Sequence, residues 1–224
     1  MAGADGTVWV EGDEELARFD GSWTTYPPLS EAPFGHMRPG EYTPMAVGPD
    51  GALWAAVGPD ELGRLDGSEW EIFETPYQAN MVEWAWASDL AVAPDGTLWA
   101  VLQGTSDGPD PDSPVLDPGA VASFDGTNWA LYTTSEGLPN GVRAITVAPD
   151  GTVWAMSFGW SGSDGYGVPG EGVARLDGTT WTRYTEADGL PSNDSEIRGR
   201  ARWVDLGHRY RRKWHLSIRR KRLD

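Results

Sequence analysis

The sequence predicts an all-β fold built from repeated four-stranded antiparallel blades, and three observations support this prediction. The phrase Gly-Thr-Val-Trp or a close variant occurs at 6–9, 51–54, 96–99 and 151–154. A second phrase, Phe or Leu followed by Asp-Gly and a Trp, occurs at 19–23, 65–70, 124–129 and 176–181. Successive Trp residues of the first phrase lie 45, 45 and 55 residues apart, which is close to the length of one propeller blade. We therefore expect a β-propeller of about four blades, incomplete or open.

One repeat, residues 142–185, shows how each blade is expected to form. Its first strand, 142–147, alternates apolar and polar side chains, as a half-buried strand does. Pro149-Asp150-Gly151 supplies turn residues, and the β-branched and aromatic segment 152–156 follows as a second strand. The third and fourth strands are expected at 172–176 and 180–184, joined by an Asp-Gly turn. No segment is predicted to be helical.

The repeat pattern also predicts where the blades begin and end. The repeat region is expected to cover residues 5–198, and 199–224 form a separate basic tail. Blades are predicted at about 5–26, 42–75, 88–134 and 142–186, with the start of a fifth from 195. The first blade is expected to lack its first strand, so the chain reads as a fragment. The repeated Trp residues, Trp99 and Trp154 among them, are predicted to pack between neighbouring blades.

Charge is divided sharply along the chain. The net charge is −17, yet residues 1–197 carry 32 acidic residues against six Arg and no Lys. A body this acidic is expected to repel nucleic acid and anionic membranes. The sequence contains no Cys, which excludes disulfides, thiolate nucleophiles and Cys-bound metals. It also shows no apolar run long enough to span a membrane and no visible signal peptide.

The last 27 residues carry eleven basic residues and two acidic ones. Back-translation of 202–224 with GC-rich codons and a one-base shift yields Trp-Ile-Trp-Gly-Thr and Arg-Phe-Asp-Gly-x-x-Trp, both halves of the repeat. We therefore hypothesise that a frameshift near Arg198 replaced a fifth blade by this tail. Two alternatives stay open: a basic arm that binds nucleic acid, or a tail that lies on the acidic body.

The repeat resembles the two-component regulator propeller repeats, which form periplasmic sensor regions of bacterial hybrid histidine kinases. The resemblance rests on Ile145-x-Val-Ala-Pro-Asp-Gly-Thr-Val-Trp154, on Val173-x-Arg-Leu-Asp-Gly-x-x-Trp181, and on the linkers Glu136–Asn140 and Asp188–Asn193. It implies an extracytoplasmic location, periplasmic or at the cell surface, and a sensory role. No kinase, receiver or DNA-binding segment accompanies the repeats in this chain.

A binding face is predicted from the variation between repeats. Antiparallel connectivity places the conserved-looking Asp-Gly turns on one face of the array, and the variable segments 27–42, 77–88, 103–119 and 158–170 on the other. Loops carried on a rigid scaffold often carry function. The candidate ligand-binding residues are His36, Arg38, Glu83, Trp84, Trp86, Arg143, Trp160 and Tyr166. Their aromatic members would form a platform for a sugar or peptide, or pack in the blade seam, and Arg38 and Arg143 would pair with an anion or form ordinary salt bridges.

A metal site is a weaker expectation. Segment 103–119 contains Asp107, Asp110, Asp112 and Asp117, and Ca²⁺ prefers several carboxylate oxygens. The spacing departs from an EF-hand loop, and a solvated acidic loop is the alternative. No other cofactor is expected.

Three functional classes remain open from the sequence. The leading one is a non-catalytic ligand-binding or sensory propeller whose ligand is a small molecule, carbohydrate, peptide or protein partner. The second is a propeller enzyme, a lyase or hydrolase, although the repeat body has a single His, His36, for acid–base chemistry. The third is a structural or adhesive repeat protein.

Overall fold

The chain folds into antiparallel β-sheets stacked as blades. The structure, a computed structural model, describes residues 3, 6–12, 15–26, 43–58, 60–76, 84–106, 115–116, 119–161 and 167–194. Within these residues the regular structure is β-strand, apart from two single-turn 3₁₀ helices, Thr134–Glu136 and Glu186–Asp188. The predicted all-β propeller-type fold is confirmed.

Blades 1 and 2 are simple meanders. Blade 1 contains β1 (Val8–Glu11), β2 (Leu16–Phe19) and β3 (Trp23–Tyr26), hydrogen-bonded in that order. Blade 2 contains β4 (Met45–Val47), β5 (Leu53–Gly58), β6 (Glu61–Asp66) and β7 (Glu69–Glu74), also in sequence order. Among the described residues blade 1 therefore has three strands, one fewer than blade 2.

Blades 3 and 4 carry extra hairpin strands. Blade 3 contains β8 (Trp84–Val92), β9 (Leu98–Ser106), β11 (Ala120–Phe124) and β12 (Trp129–Tyr132), and β10 (Val115–Leu116) pairs with the end of β9. Blade 4 contains β13 (Val142–Val147), β14 (Val153–Ser157), β17 (Val173–Asp177) and β18 (Thr180–Tyr184). A small hairpin of β15 (Trp160–Ser161) and β16 (Gly167–Val168) lies between β14 and β17.

Three segments expected to be loops are partly strand, and one of them, 158–170, contains the hairpin of β15 and β16. β8 begins at Trp84, before the start predicted at 88, and β9 continues to Ser106, into the predicted loop 103–119. The reason is mutual pairing, since Trp84 lies opposite Thr105 and Trp86 lies opposite Gln103. Each extension satisfies the backbone groups of the other, which sequence periodicity within either segment does not reveal.

The Asp-Gly turns form through side-chain bonds to the backbone. In the turn after each first strand the Asp carboxylate accepts from the backbone N–H two residues on, at 2.9 Å for Asp150 and Thr152 and 3.0 Å for Asp95 and Thr97. The Gly between them has a positive φ, 84° at Gly151, which explains why Gly recurs there. The Asp and Gly of the repeated phrase therefore recur because the turn needs a side-chain acceptor and a residue that tolerates positive φ.

The core lies in the seams between blades. Three clusters of buried side chains join blade 1 to 2, 2 to 3 and 3 to 4. In each seam the Trp of the Gly-Thr-Val-Trp phrase packs on the following blade: Trp9 lies in the first cluster, Trp54 in the second and Trp99 in the third. The predicted packing of Trp99 between blades is confirmed.

Trp154 differs from this prediction. Its side chain is only half-buried, and its ring contacts Tyr184 of its own blade with centroids 5.7 Å apart. The physical reason is position: Trp154 lies on the outer side of blade 4, and the described residues contain no further blade to cover it. The same side chain is therefore core or surface depending on its neighbour.

Candidate ligand-binding site

The two faces of the array are separated as the connectivity requires. The turns of blades 2 and 3 that contain Asp50, Asp95 and Asp125 line one cleft of about 340 Å³, so they lie on a common turn face. The chain reverses at the opposite face, the loop face, through the segments between second and third strands and through the links between blades. The residues considered below lie at the ends of strands on the loop face.

Several predicted site residues fall outside the described residues. These are His36, Arg38, Glu83 and Tyr166, together with the four metal candidates Asp107, Asp110, Asp112 and Asp117. Trp84 and Trp160 are placed by backbone alone, in β8 and β15. Trp86 and Arg143 are the predicted ligand-binding residues whose side chains the structure describes.

Trp86 lies near the loop-face end of β8, the first strand of blade 3. Its indole is 39% exposed, in contrast to the buried Trp residues of the seams. Its cross-strand partner on β9 is Gln103, and directly opposed residues project from the same side of a sheet. Trp86 and Gln103 therefore share the side of blade 3 that faces blade 4.

Gln103 connects the two blades at this point. Its side chain is buried, and Nε2 donates a hydrogen bond of 2.8 Å to the backbone oxygen of Val142 on β13. Its Oε1 accepts from Nη1 of Arg143 at 3.5 Å, which is a long and weak contact. Sequence reasoning did not select Gln103, and its only signal was a polar residue directly after the apolar run of β9.

Arg143 differs from three of the other four Arg residues that the structure describes; the fourth, the exposed Arg175, also has no carboxylate oxygen within 4 Å among the described residues. Arg18, Arg64 and Arg183 each have a carboxylate oxygen within 4 Å. Arg143 has no such partner among the residues that the structure describes, and it is half-buried. The alternative of an ordinary salt bridge is therefore not met at Arg143 within this part of the chain. Its guanidinium keeps donors available for an anionic or hydroxyl-rich ligand.

A β-bulge lies beside these side chains on each side of the seam. The register of β8 shifts between Ala87 and Asp89, and that of β13 shifts between Val142 and Ala144. Such bulges bend a strand and redirect a side chain, and they are frequent beside functional sites. The two bulges lie next to each other across the seam, since Ser88 Oγ donates to the backbone oxygen of Arg143 at 3.4 Å.

Asp89 fixes the relative position of the two first strands. It is buried, and its Oδ2 accepts from the backbone N–H of Ile145 on β13 at 2.9 Å. Its Oδ1 accepts from the N–H of Leu90 at 3.0 Å. A buried carboxylate bonded to backbone donors holds the ends of β8 and β13 in place. Arg143 lies two residues before Ile145 on β13, so Asp89 is a positioning residue for Arg143.

The cluster of Trp86, Gln103 and Arg143 combines three kinds of recognition. An exposed indole offers a flat apolar surface, an amide offers hydrogen bonds, and a guanidinium offers planar donors for a carboxylate. Sugars and short peptides present matching surfaces, with an apolar face beside polar edges. Within the described residues no group of three or more His, Cys, Asp or Glu side chains is arranged to hold a metal ion.

The turn face has a different character. Its cleft of about 340 Å³ is lined by Trp54 and Phe73, by the ion pair of Arg64 and Asp50, and by the carboxylates Glu71, Asp95 and Asp125. Nη2 of Arg64 lies 2.7 Å from Oδ2 of Asp50, and Nη1 lies 3.2 Å from Oδ2 of Asp66. Burial raises the pKa of Asp50, but the bonds from Arg64 and from the Ala52 N–H outweigh it, and the net pKa is lowered. The carboxylates of Asp50 and Asp66 are occupied in holding the turn.

The fold and the loop-face cluster define a repeat protein of propeller type with a candidate recognition site at the seam of blades 3 and 4. No protein-family model matches the chain, and no curated protein matches it. Among solved structures, the chain is similar to "Hadza microbial sialidase Hz136", with a TM-score of 0.46 and 16% identity. That similarity covers 80% of this chain and 43% of the sialidase, so the chain spans less than half of that protein's length. No helix in the described part of the chain is long and apolar enough to cross a membrane.

Proposed function

We propose that this chain is a non-catalytic ligand-binding module of propeller type and that it binds its ligand at Trp86, Gln103 and Arg143. The ligand class is a carbohydrate or short peptide that carries a carboxylate. The observation that supports this most directly is Arg143, a half-buried cation without a carboxylate partner among the described residues, which contacts Gln103, the cross-strand neighbour of the exposed Trp86.

Charge supports the choice of a cationic recognition residue. The repeat body is strongly acidic, so an anionic ligand experiences general repulsion and needs a local cation to bind. Three of the five Arg residues that the structure describes have a carboxylate partner, among them Arg64 with Asp50 and Arg183 with Glu171, both at 2.7 Å. Arg143 is the described exception on the loop face, where it supplies the local attraction.

The wider role in this proposal is sensory. Two-component regulator propeller repeats, which the repeats of this chain resemble, form sensor regions outside the cytoplasm, and this resemblance supports the proposal of an extracytoplasmic sensory role. The present chain would then supply recognition, and the signalling step would belong to another part of the same protein or to a partner. This context is part of the proposal and rests on the resemblance of the repeats.

Binding is tested with a panel of neutral and carboxylate-bearing oligosaccharides and short peptides, measured by isothermal titration calorimetry. We expect a carboxylate-bearing member to bind and its neutral analogue to bind at least about tenfold more weakly, because a charged hydrogen bond contributes roughly 1.5–3 kcal/mol. Trp86→Ala and Arg143→Gln should each weaken binding by a similar factor. Their melting temperatures should stay near that of the wild type, since neither side chain is fully buried.

Arg175→Gln is the matched control. Arg175 is an exposed arginine of the same blade, but it lies opposite Trp154 near the turn face, beside the Asp150 carboxylate. It should leave binding unchanged. The proposal fails if Arg175→Gln weakens binding as much as Arg143→Gln does. It also fails if Trp86→Ala lowers the melting temperature strongly while binding is retained, which would make Trp86 a packing residue.

A further inference from the structure

Each blade has two unlike sides, and every described seam joins them in the same way. We call the side that carries the Trp of the Gly-Thr-Val-Trp phrase the forward face, and the opposite side the rear face. In the seam of blades 2 and 3, Trp54 and Phe73 of the forward face contact Phe124 of the rear face, with centroids 6.2 and 4.9 Å from it. Forward therefore packs on rear.

The seam of blades 3 and 4 repeats this arrangement. Trp99 and Tyr132 stack on the forward face of blade 3, and Trp181 of the rear face of blade 4 meets them edge-on, at 6.5 and 6.0 Å. Blade 1 likewise turns Trp9 and Tyr26 toward Leu65 and Trp70 of blade 2, all in one cluster. Three of three described seams thus follow one rule of forward on rear.

Blade 1 leaves its rear face uncovered. Trp23 is 60% exposed, Val10 is 45% exposed and Phe19 is 36% exposed, and the rings of Phe19 and Trp23 contact each other at 5.1 Å. Their counterparts in later blades are more covered. Ala55, Ala100 and Ala155, which correspond to Val10, are buried, as are Leu65 and Phe124 for Phe19 and Trp181 for Trp23. The remaining counterparts, Leu176, Trp70 and Trp129, are half-buried. Phe19 and Trp23 repeat the pair Phe124 and Trp129, which blade 2 covers.

Blade 4 leaves the complementary forward face only partly covered, since Met156 and Val173 on that face are buried. Trp154 is half-buried where its counterpart Trp54 is buried, while Tyr184 is half-buried as its counterpart Phe73 is. Leu190 follows blade 4 in the same linker position that Leu138 holds after blade 3, and Leu138 is fully buried where Leu190 is not. Because forward faces pack on rear faces, the surface that would cover this end is the rear face of a blade. A rear face carries the sequence pattern Phe or Leu, then Asp-Gly, then Trp.

We propose that a second copy of this chain supplies that cover, so that Trp154 and Tyr184 of one copy pack on Phe19 and Trp23 of another. Four rear faces of the required pattern occur in the sequence, and three of them are already used in the seams. Residues 195–224 contain neither half of the repeat, so within residues 1–224 the rear face of blade 1 is the one that no described seam uses. A head-to-tail pair closed by two such contacts would contain eight blades, within the usual range of about 4–8 for propellers.

The first measurement is sedimentation velocity over a concentration series. The chain carries a net charge of −17, so the buffer should hold about 0.15 M salt, which limits repulsion to a Debye length of roughly 8 Å. We expect a species of twice 24.3 kDa or larger that dissociates on dilution. Trp23→Glu, which damages the rear face, and Tyr184→Glu, which damages the forward face, should each give a monomer with an unchanged far-UV spectrum.

Mixing the two variants is the decisive step. Trp23→Glu retains an intact forward face and Tyr184→Glu retains an intact rear face, so an equimolar mixture should form a heterodimer through one seam. Trp86→Ala is the control, because it removes an exposed Trp that lies on neither end face. A wild-type chain that stays monomeric at every concentration overturns the proposal, and it would leave the end faces to further blades of a longer protein. Association that survives both substitutions, or variants that do not rescue each other, also overturns it.

Discussion

The forward faces of blades 3 and 4 have nearly the same residues but different surroundings. Blade 3 presents Trp99 and Tyr132 to blade 4, and Trp99 is 6% exposed. Blade 4 presents Trp154 and Tyr184 with no described blade in front. Trp154 is half-buried there, in contrast to Trp99, whereas the two tyrosines, Tyr132 and Tyr184, are both half-buried. The repeated phrase therefore builds a core only in pairs, because each blade contributes half of a seam. In such arrays stability resides in the contacts between neighbours as much as in the units.

The largest expected effect in this comparison comes from truncating a Trp side chain that a neighbouring blade covers. Trp99→Ala should lower the free energy of unfolding by roughly 3–5 kcal/mol, because it empties a closed seam. Trp154→Ala should cost about 1–2 kcal/mol, because much of its apolar area is already exposed. Urea denaturation of both variants, at concentrations where the chain is monomeric, measures the difference. Equal losses would contradict the uncovered end face.

Two glycines of the linkers sharpen the comparison. Gly137 and Gly189 have φ of 91° and 94° and follow equivalent 3₁₀ turns. A Cβ on Gly137 would lie 2.5 Å from the backbone oxygen of Trp181 in the next blade, whereas a Cβ on Gly189 meets nothing within 4 Å. Both Ala variants carry the left-handed backbone cost of roughly 1–2 kcal/mol.

Gly137→Ala should therefore be destabilised by at least twice as much as Gly189→Ala, measured by thermal unfolding with matched denaturant melts. The contact with Trp181 exists only where a blade follows the linker, so the two variants separate backbone strain from seam packing. If both variants lose the same stability, the linker of blade 3 is not tightly seated against blade 4.

The loop-face cluster gives an effect of intermediate size, on binding. Substitution of Trp86 or Arg143 should weaken ligand binding about tenfold, while the Arg175→Gln control should leave the ligand affinity unchanged. Here the comparison is between the two faces of the array: on the turn face of blade 2 Arg64 is paired with Asp50 and Asp66, and on the loop face of blade 4 Arg143 has no described carboxylate partner.

The smallest effect concerns the ion pair of the turn face. Arg64 holds the pKa of Asp50 below its usual value, so the pair contributes stability above the unfolded pKa of Asp, about 3.9, and loses it as pH falls through the lower folded pKa. Asp50→Asn should cost only about 0.2–1 kcal/mol at pH 7, since the carboxylate is about half exposed. The difference in melting temperature from the wild type should shrink as pH falls below the unfolded pKa of Asp, about 3.9.

Asp66→Asn serves as the comparison for this pair, because Asp66 contacts the same guanidinium at 3.2 Å but is 75% exposed. It should have the smaller effect at neutral pH. A larger effect from Asp66 than from Asp50, or a difference that grows as pH falls, would contradict the assignment of Asp50 as the principal partner of Arg64.

Much of the fold was predictable from sequence because its signals are local. The Asp-Gly turns need a short side-chain acceptor and a residue that tolerates positive φ, and the sequence supplies both in every repeat. The site was less predictable. Trp86 and Arg143 were selected as unusual residues, but Gln103 was missed, because its role depends on Val142 and Arg143, about 40 residues later in the chain.

The sequence by itself determined the repeat, its strands and turns, and the choice of Trp as the seam residue, since these depend on spacing and on the conformational preferences of a few neighbouring residues. The tertiary structure decided how far β8 and β9 extend, which Arg residues have no carboxylate partner among the described residues, and which Trp side chains are covered by a neighbouring blade. These features depend on groups that are far apart in the chain and come into contact only when blades stack. Burial and hydrogen-bond pairing arise from those contacts.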